Sequence, residues 1–357
     1  MSASERILGV EGGGNKTAWV LVEQSPEGLR VIGQGKLPPS NFRLTPADRL
    51  TSIFRQLPQE VSRVGMFLAG CSISDRPSLE MLCVEVWPGA KLVTGSDRDS
   101  GLAAGLGRSD GIVVNAGTGA SVTGRRGDRV EKAGGWGHIL GDAGGGYFLS
   151  VQALRLILRE YDLHRAEAQL TARILRALAL NGRDQLVRWA QTADKMEIAT
   201  LCPVVFEAAR DGDPNVVKII EEGAEVLAEY THAVASRLSL LAPKVILLGG
   251  LFQRDSLYVH AFRRKLKKNL SDARIAMCEQ SPELGAAWLA AELDERHPVS
   301  LRRSVSDAEA LATALTEQRN PRSQNLEKLS AGELVDLFVN EEQFVQEALR
   351  KERDNLA

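Results

Sequence analysis

The sequence has few cysteines and histidines, and neither residue type is spaced as a metal site requires. Its 357 residues include four cysteines without a C-x-x-C pair, namely Cys71, Cys83, Cys202 and Cys278. This scatter argues against a structural zinc site or a disulfide framework and favours a reducing compartment. The five histidines never occur at the spacing of metal ligands.

Long apolar runs and an excess of charge of one sign are also lacking. No stretch approaches about 20 uninterrupted apolar residues, and Glu5 and Arg6 precede the first short apolar run. The sequence therefore predicts neither a membrane span nor a signal peptide. Lysine and arginine total 44 against 46 acidic residues. The chain therefore lacks the excess of positive charge that is typical of general nucleic-acid-binding proteins. We expect a cytoplasmic protein that binds neither nucleic acid nor membrane.

The length of the chain favours two domains, or one domain with an appendage. Its composition, 44% hydrophobic with 33 glycines, is typical of soluble globular proteins. Strand patterns alternate with helical patterns in the first part of the chain, and a mostly helical stretch follows residue 147. These patterns predict an α/β fold in which mixed sheets are flanked by helices.

Two segments share one pattern, in which a short apolar strand, a glycine turn and a second strand follow each other. The first is closed by glycines at 12–14 and the second by glycines at 117 and 119, so we predict two related lobes. The chain turns polar near residue 295, where we place a boundary. The predicted units are an N-terminal lobe at 1–110, a C-terminal lobe at 111–295 and a tail at 296–357 with an amphipathic helical segment.

The glycine turns are the main candidates for binding chemistry. In the first turn, successive backbone N–H groups can face an anion, with an amide and an ammonium beside them; its residues are Gly13, Gly14, Asn15 and Lys16. A strand follows this turn, so it is neither a P-loop nor a Rossmann fingerprint. The second turn offers a hydroxyl to another phosphate and comprises Gly117, Thr118 and Gly119. Plain hairpin turns are the alternative for both.

Further glycines and one carboxylate follow later strands. Gly249 and Gly250 leave room for a nucleotide's base or ribose near a buried strand, and Gly285 lies near a helix N-terminus. For each of these glycines taken alone, helix packing is the favoured alternative. Asp97 follows another strand, where a carboxylate can orient and deprotonate a hydroxyl, unless Asp97, Asp99 and Ser100 serve only as helix N-caps.

Residues 134–146 are the densest glycine block, with seven glycines in thirteen positions around Trp136 and Asp142. Such a segment is costly to order unless its backbone must approach something closely. For His138 within it, we favour a hydrogen-bonded loop residue over a catalytic base.

In order and spacing, GVEGGGNKT, GSDRDSG, NAGTGA, GGWGHILGDAGGGY and LLGG resemble motifs of the N-acetylglucosamine kinase branch of the actin-like sugar-kinase ATPases. The resemblance spans roughly residues 5–293. It implies two ribonuclease-H-like lobes that close over sugar and ATP, and transfer of phosphate from ATP to the 6-hydroxyl of an amino sugar. A homodimer is the expected assembly.

The resemblance also implies roles for individual residues. The catalytic base would be Asp97, and the sugar would be bound by Asn41, Gly135, Trp136, Gly137 and Asp142. The ATP phosphates would be held by Thr118 and the turn around Gly13, Asn15 and Lys16. Glu11 takes the position associated with Mg²⁺, a cation that prefers oxygen ligands. Asn15 departs from the family, where threonine is usual, and this places nucleotide affinity in question.

The tail contains TEQRNPRSQNLEKLSAGELVDLFVNEEQFVQEAL, which resembles the opening segment of N-acetylmuramic acid 6-phosphate etherases. We therefore expect the kinase part of a kinase–etherase fusion, or a natural remnant of one, without etherase activity. A kinase beside an etherase favours N-acetylmuramic acid, N-acetylglucosamine or both as substrates, in the recycling of cell-wall sugars. Arg43 and Arg98 adjoin the candidate site and could face a lactyl carboxylate, unless both are simply solvated.

Three other functions stay open at this point. A glucosamine kinase would share the same motifs. An ATPase activator of 2-hydroxyacyl-CoA dehydratases shares the implied fold, but it would need an iron–sulfur cluster between subunits, and Cys71 and Cys83 are the only cysteines close in sequence. A sugar-sensing regulator without catalysis is the third.

Overall fold

The computed structural model describes residues 5–25, 28–165, 169–254 and 256–292. The tail predicted at 296–357, including its amphipathic segment, lies outside the described residues. Contact clustering separates a compact unit at 1–294 from the remainder of the chain.

The first sheet has five strands in the order β3-β2-β1-β4-β5. Its strands are β1 (Glu5–Gly12), β2 (Thr17–Ser25), β3 (Gly28–Leu37), β4 (Arg63–Leu68) and β5 (Lys91–Gly95). β1, β2 and β3 pair antiparallel, whereas β1, β4 and β5 run parallel. Gly12 faces Thr17 in the β1–β2 register, so the turn at 13–16 lies at the carboxyl end of β1 beside the ends of β4 and β5.

The second sheet repeats this topology in the order β10-β9-β6-β7-β8. Its strands are β6 (Gly111–Ala116), β7 (Ala120–Arg126), β8 (Arg129–Gly134), β9 (Lys244–Leu248) and β10 (Arg274–Met277). β6 and β7 form the antiparallel hairpin, and β6, β9 and β10 run parallel. The predicted repetition of strand, glycine turn and strand therefore extends to whole sheets, although the sequence analysis did not predict β8 or β10.

Helices flank both sheets. They are α1 (Ala47–Phe54), α2 (Arg76–Val86), α3 (Asp97–Leu106), α4 (Gly146–His164), α5 (Gln169–Ala177), α6 (Arg183–Thr192), α7 (Lys195–Ala199), α8 (Cys202–Arg210), α9 (Pro214–Arg237), α10 (Gly250–Arg254), α11 (Ser256–Lys267) and α12 (Pro282–Ala291). As predicted, Asp213 caps α9, accepting hydrogen bonds from the backbone N–H groups of Asn215 and Val216. In the described part of the chain, no helix has the length and apolar character needed to cross a membrane.

α3 and α12 join the two lobes. α12 follows the second sheet in sequence but packs on the first, where Ala287 and Ala290 lie in one buried cluster with Ile7. α3 packs on the second sheet, with Leu102 and Leu106 in its buried cluster. The lobes are therefore not simple continuous stretches of chain, and their exact limits stay a prediction. The N-terminus of α3 consequently lies between the lobes.

Candidate active site

The two predicted phosphate turns meet in the structure. Asn15 Nδ2 donates a hydrogen bond of 3.0 Å to Thr118 Oγ1, across 103 positions of sequence. Within the turns, Gly13 N donates to Lys16 O at 2.9 Å and Gly117 N donates to Gly119 O at 2.9 Å. Asn15, the departure from the family pattern, thus links the lobes directly through its longer side chain.

Backbone hydrogen bonds from the first residues of α4 fix the second turn. Gly146 N donates to Gly117 O at 2.8 Å, and Tyr147 N donates to Thr118 O at 3.0 Å. A Cβ atom on Gly119 would lie 2.5 Å from Asp142 Oδ2, far inside van der Waals contact. This glycine is therefore required because the Asp142 carboxylate covers the turn.

Asp97 is the first residue of α3, but it does not cap the helix. Ser96 is the N-cap and its Oγ accepts from Arg98 N at 3.2 Å, while Asp99 Oδ2 accepts from Ser96 N at 3.0 Å. These two residues form a capping box, which satisfies the free N–H groups of the first turn. The Asp97 carboxylate takes no part in this capping box, and it interacts with the backbone N–H and the charge of Arg98.

The carboxyl groups of the site lie close enough to raise one another's pKa. Burial raises the pKa of Glu11 to about 8, and the charges of Asp97 and Glu283 add to the shift while Lys16 opposes it. Burial also raises the pKa of Asp97, with Arg98 opposing and Asp142 contributing. The cleft thus concentrates negative charge that a cation would relieve.

This donor set fits a hard divalent cation that binds mainly to phosphate. Within the described residues, no three of the histidine, cysteine and acidic side chains cluster as a complete metal site. Mg²⁺ commonly keeps several waters and takes only one or two carboxylates besides substrate phosphates. Glu11, beside the first phosphate turn and crowded by acids, is the side chain that would hold such a cation.

A pH-dependent effect on stability follows from the raised pKa of Glu11. Between about pH 4.5 and pH 8 the folded state keeps a proton on Glu11 that the unfolded chain has lost, so this group lowers the free energy of unfolding as the pH rises. Without nucleotide or metal, Glu11→Gln should raise Tm relative to the wild type by a few degrees at pH 9, with the difference shrinking towards pH 5.

Thermal unfolding at pH 5, 7 and 9 checks this expectation. Glu207→Gln is the matched control, because Glu207 is an exposed acid on α8. A Tm difference for Glu11→Gln that does not change with pH would contradict the buried, protonated carboxyl.

Asn41 lies on a loop that is tied to the carboxyl ends of β1 and β4. Ser40 N donates to Gly13 O at 3.2 Å and Phe42 N donates to Ala69 O at 2.8 Å. Asn41 Oδ1 accepts from the backbone N–H groups of Arg43 and Leu44 at 3.0 and 3.2 Å. The side-chain oxygen of Asn41 is therefore occupied by these backbone groups. The side-chain N–H₂ group is the part of Asn41 that can face a sugar hydroxyl.

The predicted sugar turn has a backbone conformation that favours glycine. Gly134, Gly135 and Gly137 have φ values of +71°, +69° and +84°, in the region that other L-residues rarely adopt. Trp136 between them is 62% exposed, so its ring is available to a ligand. His138 packs edge-on against Tyr147, with ring centroids 5.2 Å apart, and its role as a hydrogen-bonded loop residue stays a prediction.

Sequence reasoning missed a lysine beside Asp142. Lys195 Nζ lies 2.6 Å from Asp142 Oδ2, and both side chains are largely buried. Asp142 itself has φ +56°, a strained conformation for a residue with a side chain. The neighbouring Met196 Sδ lies 3.2 Å from where a Cβ on Gly14 would be, so α7 contacts both the first predicted phosphate turn and Asp142.

Only part of this arrangement had a signal in the sequence. Asp194 and Glu197 form a capping box, and their spacing marks the start of a helix. Nothing local to that segment indicates that Lys195 contacts Asp142, which lies 53 positions earlier in the chain.

The remaining candidate glycines differ in what surrounds them. Gly249 has φ +103°, and a Cβ there would lie 2.7 Å from Asn115 Oδ1, so the end of β9 closely approaches β6. Gly250 has open space where a Cβ would be. A Cβ on Gly285 would collide with the backbone of α3 at Ser100 and Ala104, so close helix packing accounts for that glycine. Nucleotide binding by these three residues stays a prediction.

The cysteines are poorly placed for a cluster between subunits. Cys83 is fully buried in the core of the first lobe, and Cys71 is also buried. Burial raises the pKa of the Cys71 thiol to about 11 and that of Cys83 still further. A cluster shared between subunits needs cysteines at the protein surface, so the burial of these two thiols disfavours the dehydratase-activator alternative.

The comparisons with known proteins agree with the fold and the motifs. The family model of the BadF/BadG/BcrA/BcrD ATPase family matches residues 8–290. An N-acetylmuramic acid/N-acetylglucosamine kinase of Clostridium acetobutylicum is 28% identical over 301 residues, which cover 80% of this chain and 97% of that protein. The resemblance predicted from the motifs is confirmed.

A solved structure and a short match to a different enzyme complete the comparison. A protein of Chromobacterium violaceum, proposed to be an N-acetylglucosamine kinase, aligns with a TM-score of 0.65 and 23% identity over 80% of this chain and 99% of its own, which confirms the predicted two-lobe fold class. An N-acetylmuramic acid 6-phosphate etherase of a Picosynechococcus species is 53% identical over 53 residues, 15% of this chain and 18% of that enzyme.

Proposed function

The chain belongs to the BadF/BadG/BcrA/BcrD ATPase family, and from this premise we propose that it is a kinase of N-acetylated amino sugars. It transfers the γ-phosphoryl group of ATP to the 6-hydroxyl of N-acetylmuramic acid, N-acetylglucosamine or both. The Clostridium acetobutylicum relative, named for both sugars, supports this substrate class.

The observation that carries the proposal is the contact between Asn15 and Thr118. It brings the two predicted phosphate turns to one point, and Asp97 lies near enough to influence Glu11 there. Phosphoryl transfer needs little covalent help from a protein, because positioning and neutralisation of charge supply most of the rate. Two predicted phosphate turns between the lobes, with the Asp97 carboxylate beside them, support both needs.

Each predicted residue then has a task. Asp97 accepts the proton of the 6-hydroxyl as that oxygen attacks phosphorus, Asn41 and the turn at 135–137 orient the sugar, and the turns at 13–16 and 117–119 hold the phosphates. Glu11 would hold Mg²⁺, which supplies neutralisation of phosphate charge when bound. Lys195 fixes the carboxylate of Asp142, so Asp142 meets the ligands in one orientation.

The short match to an etherase indicates which class of enzyme consumes the product. Phosphorylation of N-acetylmuramic acid at its 6-hydroxyl yields N-acetylmuramic acid 6-phosphate, the compound for which the matching enzyme is named. We therefore propose that this kinase acts in the cytoplasm on recycled cell-wall sugars, and that an etherase joined to it or associated with it consumes its product.

ADP release with four sugars in parallel tests the function. N-Acetylmuramic acid and N-acetylglucosamine should support turnover well above glucosamine and glucose, and ³¹P NMR of the product should show a 6-phosphate ester. A clear preference for glucosamine or glucose would refute the substrate class. Sugar binding without ATP turnover would indicate a regulator, and turnover that ignores sugar would indicate another ATPase function. The expected homodimer stays a prediction that light scattering can test.

A further inference from the structure

Two cations flank the predicted sugar turn. Lys132, on β8, has its Nζ 4.2 Å from the centroid of the Trp136 ring. Arg98, on α3, has its Nη1 3.5 Å from where a Cβ on Gly135 would be. Lys132 therefore lies beside Trp136, and Arg98 lies beside Gly135.

Both cations belong to one face of the cleft. Lys132 faces Thr123 in the β7–β8 register, and cross-strand partners project to the same side of a sheet. Thr123 lines a cavity of about 10 Å³ together with Asp97, Arg98 and Ser121. This cavity has room for about one water molecule, so a larger ligand would have to lie above it, beside Lys132 and Trp136.

This face contains donors whose partners are missing. Arg98 Nη1 and Thr123 Oγ1 are buried without a hydrogen-bond partner among the described residues. A buried donor left unpaired costs free energy, and a guanidinium prefers a two-oxygen acceptor such as a carboxylate. Among the described residues, neither Lys132 nor Arg98 forms a salt bridge, although the charge of Arg98 acts on the Asp97 carboxylate.

The positive charges of Lys132 and Arg98 also repel each other. Burial lowers the pKa of Lys132, and the positive charge of Arg98 lowers it further. The positive charge of Arg98 also lowers the pKa of Asp97, but the proposed chemistry requires that carboxylate to accept the proton of the sugar hydroxyl. A second anion, supplied from outside the protein, would relieve the repulsion.

Resting on the function proposed above, we infer that Lys132, with Arg98 behind it, forms a carboxylate subsite beside the sugar ring and determines substrate specificity. The ligand chemistry it selects is an amino sugar with an ether-linked carboxylate, as in the lactyl group of N-acetylmuramic acid. Arg43, the other cation considered from the sequence, is not part of this subsite, because its guanidinium is 2.9 Å from Asp75.

Three variants test the inference. Lys132→Met removes the charge and keeps the length of the side chain, Lys132→Arg keeps the charge, and Lys218→Met removes an exposed lysine on α9 as the matched control. The ratio of kcat/KM for N-acetylmuramic acid to that for N-acetylglucosamine should fall about tenfold in Lys132→Met, mainly through KM, as loss of one charge-assisted contact predicts. It should stay within twofold in the other two variants.

Calorimetric binding of both sugars without ATP decides the inference independently of catalysis. A fall in the same ratio of affinities in Lys132→Met supports the subsite even if no turnover is observed, in which case only the proposed function fails. A ratio unchanged by Lys132→Met, in a variant whose circular dichroism matches the wild type, overturns the subsite while leaving the kinase function standing. A wild-type protein that binds neither sugar overturns both.

Discussion

Asp97→Asn should bind sugar with nearly wild-type affinity and lower kcat by about 10²–10⁴-fold, the usual cost of losing a general base. The asparagine keeps the size of the side chain but cannot accept the proton of the 6-hydroxyl. The helix should survive the change, because its N-terminus is capped by Ser96 and Asp99 and not by Asp97. Steady-state kinetics together with equilibrium sugar binding separate the two effects.

Asp99→Asn is the matched control for this prediction. Asp99 is two positions away, accepts from Ser96 N and pairs with Arg76 at 2.9 Å, so its replacement should lower stability by about 1 kcal/mol with a far smaller effect on kcat. If Asp97→Asn retains kcat within tenfold of the wild type, Asp97 is not the base.

The pH profile gives a second readout for Asp97. Burial raises the pKa of this carboxyl above its ordinary value, and a general base works only when deprotonated. The acidic limb of kcat/KM should therefore fall at a higher pH than an exposed aspartate would give, and it should disappear in Asp97→Asn.

The two glycine turns themselves could be predicted from the sequence because each depends on a local pattern. A short apolar strand followed by glycines and a second strand favours a hairpin, and the structure has such a hairpin in each of two sheets of the same topology. The contact between Asn15 and Thr118 depends on how the two sheets face each other, and this was implied by the family resemblance and not by the local patterns. The capping role of Ser96 and Asp99 could equally have been read from their spacing.

Other features depend on packing between distant segments, and sequence patterns do not report that packing. β8, with the sequence RVEKAG, is a largely exposed edge strand, so it lacks the apolar alternation that predicts strands. Lys195 reaches Asp142 across 53 positions from a five-residue helix. Likewise, nothing in the composition of α12 indicates that it returns to the first sheet.

The contact between α12 and α3 leads to a prediction about Gly285, for which the sequence alone left nucleotide binding and helix packing open. A Cβ there would meet the backbone of Ser100 and lie 2.7 Å from Ala104 N, and backbone atoms cannot move aside as a flexible side chain can. Gly285→Ala should therefore destabilise the protein despite the better helix propensity of alanine. Gly285→Val should cost about 3 kcal/mol or more, lowering Tm by roughly 6–12 °C.

The same variants separate packing from nucleotide binding. Ser100 Oγ donates to Asp97 O at 3.0 Å, so displacing α3 at Ser100 should disturb the base and lower kcat, with little change in the KM for ATP at a permissive temperature. Gly33→Ala is the matched control, because a Cβ there makes only ordinary contacts, the nearest at 3.6 Å. A Gly285→Ala variant with unchanged Tm and a raised KM for ATP would instead assign this glycine to the nucleotide. Either result distinguishes the two interpretations, because a helix crossing acts on stability and on the position of Asp97, whereas a nucleotide contact acts on ATP affinity alone.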